Sequence, residues 1–297
     1  MTPKHMLLGL AIIFAWGFNF VVIRWGLDDL TPMMLGGMRF LVIAVIGSVF
    51  FARPNTPFKW ILTYALSLNF GQFAFLFTGM VFGMPAGLAS LVLQSQALFT
   101  LIFAVFLLKE VVRPYQILAI AIAASGLSVI GIAGDNASMT VLGFALTLAA
   151  ASSWALGNIT TKAMIQKGYD ANINLIVWAC WIPPVPFFIC AYFVDGSDVI
   201  WSNLTNMGWK TFATLAYLSI FATLGGYGLW SFLMSRYPAG TVAPLTLGVP
   251  VVGLTSSALL LNEQISQTQW LGILLVLLGL MLNTFGGRWL MRLTKAT

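Results

Sequence analysis

The sequence predicts an all-α integral membrane protein: ten transmembrane helices as two inverted five-helix repeats, both termini cytoplasmic. Three observations predict it. Of the 297 residues, 60% are hydrophobic and 7% are charged, whereas a soluble domain carries about 25% charge. A surface so poor in charge has lipid for its solvent. Ten apolar runs reach spanning length, which takes roughly 20 residues each. Finally, one stretch occurs twice. Pro85-Ala86-Gly87, Glu110, Gln116 and Gly126-Leu127 recur as Pro238-Ala239-Gly240, Glu263, Gln269 and Gly279-Leu280. The offset between the copies is constant (238 − 85 = 153). Shared hydrophobicity does not place identical residues at turns, helix ends and mid-helix positions. The chain therefore reads as a duplication, residues 1–135 and 136–297, packed about a pseudo-two-fold axis.

The first run, near 6–25, follows Lys4 as a signal peptide would, but no small-residue cleavage site closes it. It ends in Arg24-Trp25-Gly26-Leu27-Asp28-Asp29 and reads as a retained span. Further runs lie near 32–52, 60–82, 86–108 and 114–133, which completes the first repeat. The second repeat has runs near 140–162, 172–194, 209–234, 239–261 and 267–287. Its first span echoes that of the first repeat, with Trp16 and Arg24 matched by Trp154 and Lys162 (154 − 16 = 138). Connections are short. The longest, from Asp195 to Met207, is polar, carries Asp198, Trp201 and Asn203, and is expected on the membrane surface.

Orientation follows from the basic residues. With the N-terminus inside, Lys4, Arg53, Lys59, Lys109, Arg113, Lys162, Lys167, Arg236, Arg288, Arg292 and Lys295 face the cytoplasm. Arg24 and Lys210 fall outside, together with Asp28, Asp29, Asp135, Asp195, Asp198 and Glu263. Five spans per repeat is an odd number, so the second repeat is inverted and Glu110 and Glu263 lie on opposite sides. Inverted repeats suit a carrier whose site sits near mid-membrane between the halves.

The same residues exclude other classes. The net charge of +6 is scattered singly between apolar runs, which serves topology and not nucleic-acid binding. Cys180 and Cys190 fall on one predicted helix, roughly 15 Å apart, too far to pair. The single histidine, His5, gives no zinc cluster. No G-x-x-x-x-G-K-[ST] loop and no Ser/His/Asp or paired-acid constellation is present. No cofactor and no enzyme activity are expected. No Asp or Glu lies deep in a span, which argues against a carboxylate proton relay.

Arg39, in Gly36-Gly37-Met38-Arg39-Phe40, is the basic residue that does lie inside a span, roughly 10 Å deep counted from Pro32. A charge there costs a few kcal/mol, so it needs a partner or a wet cavity. Two readings stand: a cavity cation for a carboxylate-bearing solute, or an arginine bonded to helix-end carbonyls or to Asp28 or Asp29. Glu110 and Glu263 each precede the helix that follows and are expected to stabilise a helix N-terminus. Asn19, Gln72, Gln94, Gln96, Asn158 and Thr246 are uncharged polar groups inside spans, where each must bond to another helix or to a ligand. Gly17, Gly71 and Gly248 stand beside three of them. Pro244 and Pro250 free backbone carbonyls near Thr246 and Leu247. Trp16, Trp154, Trp178, Trp181, Tyr227 and Trp230 are candidates for a cavity wall. Trp25, Trp60, Trp201, Trp209 and Trp289 read as interfacial anchors. The candidate binding set is Asn19, Arg39, Gln72, Gln94, Asn158, Trp178, Tyr227 and Thr246.

Several of these stretches resemble a known family. Trp16-Gly17-Phe18-Asn19-Phe20, the Arg39-Phe40 pair and the terminal Glu of each repeat are similar to the EamA family of the drug/metabolite transporter superfamily. The run from Phe82 to Gln94, with Val242-Ala243-Pro244-Leu245 and Val249-Pro250-Val251-Val252-Gly253-Leu254, resembles its amino-acid metabolite exporters. The resemblance covers essentially the whole chain. It implies export of cysteine and related metabolites such as O-acetylserine across a bacterial inner membrane. Carriers of aromatic amino acids, drugs or nucleotide-sugars remain open, as does a membrane enzyme or an assembly partner. The expected partners are a small-molecule substrate and membrane lipids, with no nucleic acid. Nothing in the sequence sets an oligomeric state.

Overall fold

The computed structural model describes residues 1–133 and 139–293. Asp135, Lys295 and the 135/136 division expected from the sequence lie outside the described residues. Among the described residues, ten helices are long and apolar enough to cross a membrane. They are α1 (Pro3–Asp29), α2 (Pro32–Phe50), α3 (Phe58–Val81), α4 (Ala86–Leu108), α5 (Pro114–Ile132), α6 (Val141–Gln166), α7 (Ile173–Val194), α8 (Trp209–Arg236), α9 (Gly240–Leu260) and α10 (Gln267–Arg288). Each matches a run expected from hydropathy. Among the described residues there is no strand. The connection after α7 holds a short helix, Ser197–Thr205, with no buried residue. It is tied to the bundle by Asn203 Oδ1, which accepts from the Thr31 amide at 3.0 Å.

Local chemistry sets the helix starts. Thr2, Thr31, Thr140 and Asn172 precede α1, α2, α6 and α7, and each side chain accepts from an amide in the first turn. Proline stands at the first turn of α1, α2 and α5, where its missing N–H costs nothing. The outer faces are apolar: Val49, Phe106 and Leu259 are each about three-quarters exposed. Such a surface is stable only in hydrocarbon.

Five spans depart from regular helix: α4 winds as a 3₁₀ turn over Leu93–Ser95, α7 is interrupted between Ala179 and Pro184, and α3, α8 and α9 change their winding. In α3, residues Ala65–Gly71 form a π-helical turn, and in α8, residues Tyr217–Gly225 do the same. In α9, Ala243–Gly248 winds as a 3₁₀ helix, where the prolines predict broken backbone bonding. A π turn leaves carbonyls free for side chains from other helices.

Packing joins α3 to α6, α4 to α6, α1 to α9, α4 to α9 and α2 to α7, while α5 runs along α10. Small residues allow the closest approaches. A Cβ on Gly17 of α1 would lie 2.8 Å from the Val249 carbonyl of α9. Between α5 and α10, a Cβ on Gly126 would lie 2.7 Å from the Gly272 carbonyl, and one on Gly279 would lie 2.7 Å from the Ala119 carbonyl. Both donor and target positions of that pair are 153 residues apart.

Candidate functional site

Arg39 is the centre of a buried polar cluster inside the bundle. Its side chain is 3% exposed. The second reading from sequence, a bond to helix-end carbonyls or to Asp28 or Asp29, is not realised. Asp28 pairs with Arg24 at 3.1 Å, and Asp29 accepts from Thr211 Oγ1 at 2.9 Å. Arg39 Nη2 instead donates to Thr223 Oγ1 at 3.0 Å, and the guanidinium lies 4.3 Å from the centre of the Phe73 ring. The π turn of α8 builds this seat. Thr223 Oγ1 itself donates to the carbonyl of Leu218, five residues back, at 2.8 Å. Ser219 Oγ, in the same turn, donates to the Arg39 carbonyl at 3.1 Å. Neither threonine nor serine stood out in the sequence; Gly225-Gly226 at the end of the turn is the signal that could have drawn attention to it.

A cavity opens beside this cluster. Its lining includes Trp16, Asn19, Phe20, Arg39, Gln72, Phe73, Leu76, Ser90, Leu93, Gln94, Gln96, Trp154, Ala222, Tyr227, Thr246 and Val249. Six of the eight candidates from sequence therefore come together: Asn19, Arg39, Gln72, Gln94, Tyr227 and Thr246. Asn158 does not line the cavity but stands directly behind it. Its Nδ2 donates to Gln96 Oε1 at 2.7 Å and to Thr100 Oγ1 at 3.1 Å, so it orients a residue that does line it. Trp178 is placed elsewhere, because α7 packs on α2: its indole N–H donates to the Phe51 carbonyl at 2.9 Å. Trp181, one turn on, donates to Ser48 Oγ at 2.7 Å. The carbonyl expected free at Thr246 has a protein donor, Gln94 Nε2, at 2.7 Å. Trp16 and Trp154 both line the cavity. Trp16 donates to the Ala222 carbonyl of the π turn at 2.9 Å and packs 5.3 Å from the Tyr227 ring.

The polar atoms of the cluster are not all satisfied. Arg39 Nε and Nη1, Asn19 Oδ1 and Gln72 Oε1 are buried without a protein hydrogen-bond partner. Buried polar atoms of this kind are rare in folded proteins and call for an explanation. The cluster offers two cationic N–H groups and two amide oxygens, with aromatic rings around them. That set fits a small zwitterion: a carboxylate on the guanidinium and an ammonium on the amide oxygens.

Of the two repeat-terminal glutamates, Glu263 stabilises a helix N-terminus as expected, but that of α4, whereas Glu110 pairs with a lysine. Neither stabilises the helix that follows it. Those helices already have a side-chain cap: Gln116 Oε1 accepts from the Arg113 amide, and Gln269 Oε1 from the Ser266 amide, each at 2.9 Å. Glu263 instead reaches across to α4, and Glu110 pairs with Lys162.

Asn158→Ala tests the support behind the cavity. It removes two interhelical bonds, each worth about 0.6 kcal/mol or somewhat more in a membrane, so thermal stability in detergent should drop by about 1 kcal/mol. An unchanged midpoint would show that Gln96 is held without it.

Comparison with known proteins agrees with this architecture. The EamA-like transporter family matches residues 3–132 and 141–285. A probable amino-acid metabolite efflux pump of Escherichia coli is 45% identical over 97% of each chain. A protein of the same description from Salmonella typhimurium is 44% identical over 97% of each. A crystal structure at 18% identity superposes with a TM-score of 0.64, covering 98% of this chain and 99% of its own. That likeness supports the helical fold alone.

Proposed function

This chain belongs to the EamA-like transporter family, and from that premise we propose that it exports small amino acids and their metabolites, the cysteine and O-acetylserine class, by alternating access. It is a multi-pass protein of the inner membrane and a transporter, not an enzyme. The observation that carries the substrate class is the unpartnered set in the cavity: two N–H groups of Arg39 and the amide oxygens of Asn19 and Gln72, which supply the complementary halves of a zwitterion site. Arg39 takes the carboxylate. Asn19 and Gln72 accept from the ammonium. Gln94, Tyr227 and Thr246 stand where the substrate side chain projects, and Asn158 holds Gln96 in place. The Escherichia coli and Salmonella typhimurium relatives, described as probable amino-acid metabolite efflux pumps, support the same class.

Alternating access rests on the two halves being inverted repeats, residues 1–135 and 136–297, with both termini cytoplasmic. Contacts that repeat at the offset of 153 support it, among them those of Gly126 and Gly279. A second reading is favoured by the aromatic lining of Trp16, Phe20, Phe73, Trp154 and Tyr227, which would suit an aromatic amino acid.

The test is counterflow. Proteoliposomes are preloaded with unlabelled cysteine or O-acetylserine and given labelled solute outside. Accumulation several-fold above protein-free liposomes is expected. Competition by phenylalanine or tryptophan stronger than by cysteine would favour the second reading. No accumulation with any amino acid, from folded protein, would overturn the substrate class.

A further inference from the structure

The glutamates that end α4 and α9 sit in turns built alike, yet they hold different partners. Among the described residues, the non-glycine positions with positive φ are Lys109 at 56° and Asn262 at 54°, which are 153 residues apart (262 − 109 = 153). The Glu110 amide bonds the Ala104 carbonyl at 3.2 Å, and the Glu263 amide bonds the Ser257 carbonyl at 3.4 Å. These positions are again equivalent. Each left-handed turn ends its helix and swings the glutamate away from the helix axis.

Glu263 uses that geometry to grip α4. Its Oε1 accepts from the Ala86 amide at 2.7 Å and its Oε2 from the Gly87 amide at 2.9 Å. First-turn amides have no acceptor within their own helix, and a carboxylate is their strongest partner. Around this contact α4 and α9 touch closely. A Cβ on Gly87 would lie 3.2 Å from Ser257 Cβ and 3.3 Å from Leu254 Cα, and a Cβ on Gly253 would collide with Ser90.

The opposite end of the same two helices carries the equivalent parts but not the equivalent contact. Glu110 would need the amides of Ala239 and Gly240. Its carboxylate instead lies 2.6 Å from Lys162 Nζ of α6. Gly240, the counterpart of Gly87, faces Arg288 of α10, whose guanidinium donates to the Gly240 carbonyl. One end of the α4–α9 pair is latched; at the other, Glu110 is taken by Lys162 and Gly240 by Arg288. The Glu110–Lys162 pair is 36% and 46% exposed, so it is weak and easily exchanged.

We propose that Glu110 and Glu263 are reciprocal latches. In the alternative conformation Glu110 leaves Lys162 and grips the amides of Ala239 and Gly240, while Glu263 releases those of Ala86 and Gly87. The inference rests on the alternating-access reading above and names the residues that carry its conformational step. Because the two latches are built from equivalent turns and equivalent amides, exchanging one for the other keeps the two states close in energy. A carrier needs that balance, since a ligand shifts a two-state equilibrium only by its differential affinity.

The test places cysteines across the unlatched end, as Thr100→Cys with Ala243→Cys, the counterparts of Gly253 and Ser90. Cys180→Ala and Cys190→Ala remove the native thiols, and size-exclusion profiles confirm folding. The readout is the rate of oxidative disulfide formation, which requires no knowledge of the substrate. Glu263→Gln should raise that rate at least five-fold. Glu110→Gln should lower it at least five-fold, whereas Lys162→Ala, which frees Glu110, should raise it. A residue with a merely structural role would not move the rate in opposite directions. One common rate in every variant would overturn the latches and leave alternating access standing. No disulfide in any variant, Glu263→Gln included, would overturn both.

Discussion

Arg39→Ala should abolish counterflow, by about 100-fold or more, without unfolding the protein. Two buried N–H groups of Arg39 have no protein partner, and a charged hydrogen bond contributes about 1.5–3 kcal/mol. Losing two such bonds to a carboxylate removes at least about 3 kcal/mol, which is about two orders of magnitude in binding. Stability should move the other way. An arginine inside a span costs about 2.5–3.5 kcal/mol on insertion scales. What the alanine gives up is one bond to Thr223, which keeps its own bond to Leu218, and the stack on Phe73. The melting midpoint in detergent should therefore hold or rise while transport is lost. Arg39→Lys keeps the charge but not the paired, planar N–H groups, and should recover only a small part of the activity. Loss of transport together with a large drop in midpoint would make Arg39 a structural residue and remove it from the substrate site.

What the sequence disclosed about this region depended on the kind of signal. The spans were legible because hydropathy sums over about 20 residues, so single exceptions do not hide them. Arg39 was legible because a charge in hydrocarbon is costly wherever its side chain points. The aromatic residues were not sorted so easily. Trp16, Trp154 and Trp178 look alike in sequence, yet the first two line the cavity and Trp178 bonds to the end of α2. Which face of a helix meets the cavity is decided by its neighbours, and an apolar ring suits either face. The π turns of α3 and α8 were hidden for a related reason. Side chains from other helices bond to their backbone carbonyls, Trp16 to Ala222 in α8 and Ser153 to Ser67 in α3, and no local pattern announces that. Glu263 shows a third limit. Its carboxylate was expected to stabilise the helix after it, but the left-handed turn at Asn262 directs it to a helix 176 residues earlier in the chain.

Gly126→Leu should be the most damaging single substitution for folding, at about 3 kcal/mol, with little folded protein recovered from the membrane. The argument is steric. A Cβ at Gly126 would lie 2.7 Å from both the Gly272 carbonyl oxygen and the Val276 nitrogen, and 2.8 Å from Leu275 Cβ. Two of those three atoms are backbone, so no rotamer change relieves the clash, and α5 and α10 must separate. Between helices in lipid no hydrophobic force compensates. Close packing of small residues is itself the attraction, and it falls steeply with distance. Leu118→Ala, on an exposed face of α5, should stay within about 0.5 kcal/mol of the unaltered protein. Gly279→Leu should match Gly126→Leu, because its Cβ would lie 2.7 Å from the Ala119 carbonyl and 2.8 Å from the Ala123 nitrogen. Each glycine sits on the counterpart of the other's target. The comparison therefore reads the architecture as well as the packing. Equal losses would follow from two halves built alike around one axis, whereas a tolerant Gly279 beside an intolerant Gly126 would show that the duplication in the sequence has not been kept in the contacts.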